Sequence, residues 1–328
     1  MKKIISALLF VLVMQAHEKP KFNTQNANKM EYNNPSYFGN RNIKTTYFDD
    51  CDACGCSASG GSMGFASMLN SNFVGVRYFN QHYRSNDGLY SNSPWLNENY
   101  NTLQVWARIP IVKGVQISTL LPYHFHSRNT KTGSQEISGM GDVTVVGLVT
   151  VYQTHKDSTV FKHNWQVGVG IKAPTGEYKE TSAGSVNPSF QVGTGSWDYL
   201  FSSEYVLRFK KMGINNLLNY VVKTENKKEY RFGNQFNYGS TLYYLFEKKS
   251  LAVAPQLGVA GEVYASNYQY GEKVRNTTGD VLFGKVGVEI GWNKFSLGAT
   301  YFKPINQNLM SGLVEAKSRW TLNINYKL

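Results

Sequence analysis

From Asn72 to Leu328, apolar and polar residues take turns along the chain, in about twelve stretches of roughly ten residues each. The last stretch shows the rule. Trp320, Leu322, Ile324, Tyr326 and Leu328 fall on one face, and Thr321, Asn323, Asn325 and Lys327 on the other. Successive side chains of a strand point to opposite sides, so one face of such a stretch can meet lipid while the other meets water or protein. The pattern predicts an all-β fold, an antiparallel transmembrane β-barrel of about 12 strands. The predicted spans are Phe73–Tyr83, Tyr100–Val112, Val115–His126, Asp142–Tyr152, Val160–Ala173, Ser196–Phe209, Ile214–Lys223, Arg231–Phe246, Leu251–Tyr264, Val281–Trp292, Phe295–Lys303 and Arg319–Leu328. Short connections such as Lys113-Gly114 and Asn293-Lys294 alternate with mostly long polar ones, as an even-stranded barrel with both termini in the periplasm requires.

The residues before Asn72 have a different texture. Lys2 and Lys3 precede an apolar run from Ile4 to Met14, too short to span a bilayer as a helix, with Ala16 at a plausible cleavage position. Residues 1–16 are therefore expected to be a signal peptide. Residues 17–71 are expected to be an N-terminal periplasmic extension or plug, and 72–328 the barrel. The expected location is the outer membrane of a Gram-negative-type bacterium, with outer-membrane lipid, the barrel-assembly machinery and a small-molecule solute as partners. No later run of about twenty apolar residues predicts a membrane helix. Aromatic residues make up 14% of the chain, which suits girdles at the two membrane interfaces.

The formal charge of +12 raises nucleic acid as a partner, but the basic residues are scattered and no nucleic-acid-binding motif accompanies them, so none is expected. The balance points instead to a lumen that tolerates anions, or to contact with acidic lipid headgroups. Alternation turns Arg77, Arg108, Lys162 and Lys172 inward, together with Asp198, Glu204, Glu262 and Glu289. These are the channel-lining candidates. A lumen carrying both signs can hold a narrow wet path or close on its own salt bridges, and the sequence leaves both open.

Three segments carry a family resemblance: Gly139-Met-Gly-Asp-Val-Thr-Val145, Lys172-Ala-Pro-Thr-Gly-Glu-Tyr178 and Pro188-Ser-Phe-Gln-Val-Gly-Thr-Gly-Ser-Trp-Asp-Tyr199. In this order they resemble the outer-membrane "transporter" family named after the meta-pathway of phenol degradation, over about Asn72 to Leu328. The chain departs from that pattern at Val192, where proline is expected, and ends in Leu328, where many barrels end in phenylalanine. The resemblance implies a porin-like barrel that passes small, often hydrophobic solutes. On the strand map all three segments fall at the extracellular rim of strands four to six. There Asp142, Pro174, Thr175, Gly176, Gly193, Thr194, Gly195, Ser196, Trp197 and Asp198 form either a solute entry vestibule or loop-closing architecture. Gly139, Gly141, Gly176, Gly193 and Gly195 would permit positive-φ loops, with Thr194, Ser196 and Asp198 bonding neighbouring backbone.

Two further chemistries are weighed. Cys51, Cys54 and Cys56, all the cysteines of the chain, form a C-x2-C-x-C motif in which three thiolates can wrap one Cu(I) or Zn(II), with Met63 and Met68 as thioether candidates. The other outcome in an oxidising compartment is one disulfide and one free thiol. His124, His126, Ser127 and Asn129 invite comparison with outer-membrane phospholipases. Adjacent His126 and Ser127, however, point to opposite faces of a strand, so the base cannot reach the nucleophile. The chain is therefore not expected to be an enzyme. The expected function is an outer-membrane channel or transporter for small solutes, hydrophobic or aromatic ones among them. The alternatives are an outer-membrane-anchored metal-binding protein acting through the cysteine segment and, behind it, an outer-membrane hydrolase.

Overall fold

The computed structural model describes residues 67–86, 93–130, 133–154, 161–178 and 190–328. The expected signal peptide, most of the extension and the three cysteines lie outside them.

Twelve antiparallel strands form the fold: β1 (Phe73–Ser85), β2 (Leu96–Val112), β3 (Val115–Thr130), β4 (Gly133–Met140 continued by Val143–Gln153), β5 (Phe161–Ala173) and β6 (Asp198–Phe209). The second half adds β7 (Met212–Lys223), β8 (Gln235–Tyr244 continued by Phe246–Lys248), β9 (Leu251–Tyr264), β10 (Gly279–Trp292), β11 (Phe295–Leu309) and β12 (Val314–Lys327). Each strand pairs with its sequence neighbour, and β12 returns to β1 with Phe73 opposite Lys327. The barrel wall is thereby closed on itself. Three two-residue strands, Tyr230–Arg231, Tyr268–Gln269 and Glu272–Lys273, tie together the loops that follow β7 and β9.

Alternation sorts the two faces. On β2, Leu103, Val105 and Ile109 are exposed on the outer surface, while Gln104, Trp106 and Arg108 are buried inside. On β12, Leu322, Ile324 and Tyr326 face out, and Arg319, Thr321 and Asn325 face in. Near the short turns the outer surface carries Tyr152, Phe161, Phe246, Trp292, Phe295 and Tyr326. A barrel that is apolar outside and polar inside is the inverse of a water-soluble one, and a bilayer is the solvent that satisfies it. No helix among the described residues is long and apolar enough to cross a membrane.

The main departure from expectation lies at the long-loop end. β3 runs on to Thr130, and Gly133–Met140 pairs with its outer half, so the loop expected after His126 is a strand hairpin. β11 likewise continues to Leu309, and β12 begins at Val314. These extensions carry few apolar residues on the outer face, so the alternation that marks the rest of each strand is weaker there, although Leu309 and Val314 stay buried on the inner side.

Candidate functional site

The lumen is built in layers. At the short-turn end lies a cavity of about 770 Å³, a vestibule lined by Arg108, Lys162, Gln166, Glu204, Arg208 and Tyr243 among others. The segment Ser67–Asn72 lines its wall ahead of β1. That segment is anchored by Glu289, which accepts from the Met68 amide at 2.8 Å, from Ser67 Oγ at 2.5 Å and from Ser296 Oγ at 2.8 Å. The Asn70 side chain donates to the same Ser296 hydroxyl at 2.8 Å.

From the vestibule wall onward the inward charges find partners inside the barrel. Arg108 meets Glu204 at 2.6 Å, and Asn215 donates to the other oxygen of that carboxylate at 2.9 Å. Arg77 donates to Gln104 and lies 4.6 Å over the Trp106 ring. Arg319 meets Glu262 at 2.7 Å, both nearly solvent-free, with Tyr264 donating to the same carboxylate and the Phe283 ring 4.5 Å from the guanidinium. Each charge taken from water here is paired or stacked, as a low-dielectric interior requires.

Toward the long-loop end the lumen turns apolar. Tyr83, Tyr100, Phe190, Tyr264, Phe283 and Phe302 belong to one buried cluster. Phe190 comes from the loop between β5 and β6. It packs edge-on against Tyr100 at 6.1 Å, beneath the Arg128 guanidinium at 4.5 Å. Next to this cluster, His124 hydrogen-bonds Thr102 Oγ1 at 2.8 Å, and the His126 ring nitrogen accepts from the Asn101 amide. Ser127 sits on the opposite face of β3.

The three motif segments meet in one buried polar knot. Asp142 accepts from the Gly176 amide at 3.0 Å, the Thr194 amide at 2.9 Å and the Thr194 hydroxyl at 2.7 Å. Lys172 lies 2.5 Å from Asp198 and 3.5 Å from Asp142, so it bridges two of the segments. Ser196 donates to Asp198, and Thr175 Oγ1 bonds the Gly141 carbonyl while accepting from the Val143 amide. Pro174 leads the second segment out of β5, and Trp197 projects from the outer surface. Only Gly195 among the five motif glycines takes a positive φ, which corrects the expectation for Gly139, Gly141, Gly176 and Gly193. Close approach explains Gly176 instead, since a Cβ there would lie 2.8 Å from the Gly193 Cα.

All eight channel candidates project inward, but only Lys162 is exposed, at the vestibule wall. Arg319 was not singled out from the sequence, although carrying the β12 alternation back from Thr321 places it on the lumen face. Phe190 had no such signal, because it lies in a loop. Cys51, Cys54 and Cys56 lie outside the described residues, within which no cluster of three metal-ligating side chains occurs.

Residues 104–308 match the model of the family described as "Putative MetA-pathway of phenol degradation". The fold is shared with an outer membrane channel from Pseudomonas putida F1, at a TM-score of 0.58 and 15% identity, over 80% of this chain and 97% of that one. The beta domain of the Bordetella autotransporter Brka is similar at a TM-score of 0.45 and 10% identity, over 79% of this chain and 100% of that one. The TodX monoaromatic hydrocarbon channel, as a deltaS2 mutant, is similar at 0.36 and 10% identity, over 83% and 93%. A comparison with curated proteins gives no match.

Proposed function

The chain belongs to the MetA-pathway phenol-degradation family, and from that premise we propose that it is an outer-membrane channel for small solutes, hydrophobic or aromatic ones included. One observation carries the reading. A closed barrel presents apolar side chains all around its outside, and its interior holds a polar vestibule of about 770 Å³ that continues toward buried ion pairs and an aromatic constriction. Such a wall needs a bilayer, and such an interior offers a solute first water and then ring faces. In this reading the short turns and both termini face the periplasm, after export by the N-terminal signal and insertion by the barrel-assembly machinery. The polar knot around Asp142 holds the extracellular rim, and Phe190 and its ring neighbours form the gate. No hydrolytic role is assigned, because His126 and Ser127 face opposite sides of β3.

The test is swelling of liposomes that contain the refolded protein, in sugars, amino acids and aromatic solutes of graded size. Small solutes should enter faster than into empty liposomes, with a size cut-off. Entry indistinguishable from empty liposomes for every solute would refute a channel.

A further inference from the structure

We infer that the short-turn vestibule is a binding site for small organic anions, whose carboxylate sits between Lys162 and Arg208. The inference deepens the channel reading and rests on it for transport, though not for binding.

The register of β5 and β6 sets Lys162 directly opposite Arg208. Both share the lumen-facing parity of Gln166 and Glu204, and both line the vestibule. Like charges directly opposite on neighbouring strands repel. Among the described residues, neither side chain has a carboxylate within ion-pair distance. The barrel therefore holds two cations side by side over an open cavity, an arrangement that an anion between them turns from repulsive to attractive.

Two other observations point the same way. Arg108 gives one guanidinium nitrogen to Glu204, but its Nε is buried and donates to no acceptor among the described residues. The lining as a whole sets Arg108, Lys113, Lys162 and Arg208 against the single carboxylate of Glu204. In the sequence of the short turns just outside, Lys156, Lys210, Lys211, Lys248, Lys249 and Lys294 outnumber Asp157 and Glu247. A cleft lined by one sign of charge focuses the field and concentrates counter-ions.

The shape selects the class of anion. An arginine fork binds a planar carboxylate with two parallel hydrogen bonds. Pro110, Ile111 and Val206 give the vestibule an apolar wall for the rest of the molecule. A small carboxylic acid with an apolar body matches both parts better than chloride does.

The experiment compares wild type, Lys162→Gln and Lys162→Gln/Arg208→Gln in planar bilayers, under gradients of potassium chloride, acetate and benzoate. Lys162 is exposed, so its variant is expected to fold, and heat-dependent gel mobility verifies closure of every barrel. Wild type should pass the anions in preference to potassium, with benzoate slowing chloride current. The double variant should lose about threefold or more of that preference, and the single variant part of it. A conducting wild type without anion preference, or a double variant that keeps it, overturns the inference and leaves the channel standing. A wild type that does not conduct overturns the channel reading instead. Benzoate binding to the refolded full-length barrel, followed by saturation-transfer NMR, then decides the inference alone: loss of the signal in the double variant supports it, and equal signal refutes it.

Discussion

Asp142→Asn isolates the contribution of the rim knot, because it changes one oxygen to an amide and leaves the shape intact. The carboxylate serves donors on both sides. Oδ1 takes the Gly176 amide at 3.0 Å, and Oδ2 takes the Thr194 amide and hydroxyl at 2.9 and 2.7 Å. An asparagine has one acceptor oxygen. If that oxygen stays with Thr194, the Gly176 N–H faces an NH2 group, donor against donor. Losing a hydrogen bond to a charged acceptor removes about 1.5–3 kcal/mol, and leaving a buried donor unmet costs about 1–3 kcal/mol. Lys172 keeps its closer partner Asp198 at 2.5 Å, so no further charge is stranded. The two figures count one broken contact from either side, so the expected loss is about 1.5–3 kcal/mol, read as a lower urea midpoint for barrels refolded into lipid vesicles. Amide exchange at Gly176 and Thr194 should rise far more than in the strands. A midpoint within error of wild type, with both amides still protected, would refute the claim that Asp142 joins the three segments.

The lumen and the wall give independent tests. Arg319→Met leaves the Glu262 carboxylate buried without its cation and should cost about 3–5 kcal/mol, while Arg319→Met/Glu262→Gln should recover much of it; equal unfolding midpoints for single and double variants would show that the pair does not matter. Leu322→Arg places a charge on the apolar outer face and should impair insertion by about 2–4 kcal/mol, whereas Asn323→Arg, on the lumen side, should assemble nearly as well as wild type; equal yields would contradict the register of β12. In a background lacking Cys51, Cys54 and Cys56, Lys227→Cys and Glu272→Cys in the long loops should react with an impermeant thiol reagent on intact cells. Lys113→Cys and Lys294→Cys should not, and the reverse pattern would invert the proposed orientation.

All twelve strands were legible because a bilayer enforces a two-residue period wherever it touches the wall. The same cause explains where the reading stopped. Ser127 to Gly139 and Asn306 to Asn308 are mostly polar, so strand and loop look alike in the sequence there. Inward polarity of Arg108, Glu204 and Glu262 followed from parity, but their partners did not. Pairing of Arg319 with Glu262 crosses from β12 to β9 through the lumen, a distance that no local pattern encodes. The motif segments were placed at one rim from the strand map alone. That Asp142 gathers them, and not Thr194 or Ser196, depends on the loop between β5 and β6 folding back over β4. Phe190 in that same loop fills the lumen for the same reason.

The seam between β1 and β12 sets the order in which this chain can acquire its form. Every other neighbouring pair is a hairpin, closed by a turn or loop of its own, whereas Ser85 meets Val314 only after nearly the whole barrel has been traversed. Contacts this distant in sequence form slowly. An almost finished sheet therefore waits with two open edges, strands of 13 and 14 residues, each able to capture a foreign strand. The Arg84–Glu315 pair at 2.7 Å lies across this joint, beside its last rung. Weakening it should lengthen the lifetime of the open sheet more than it lowers the stability of the closed one, so aggregation during assembly is the defect to expect.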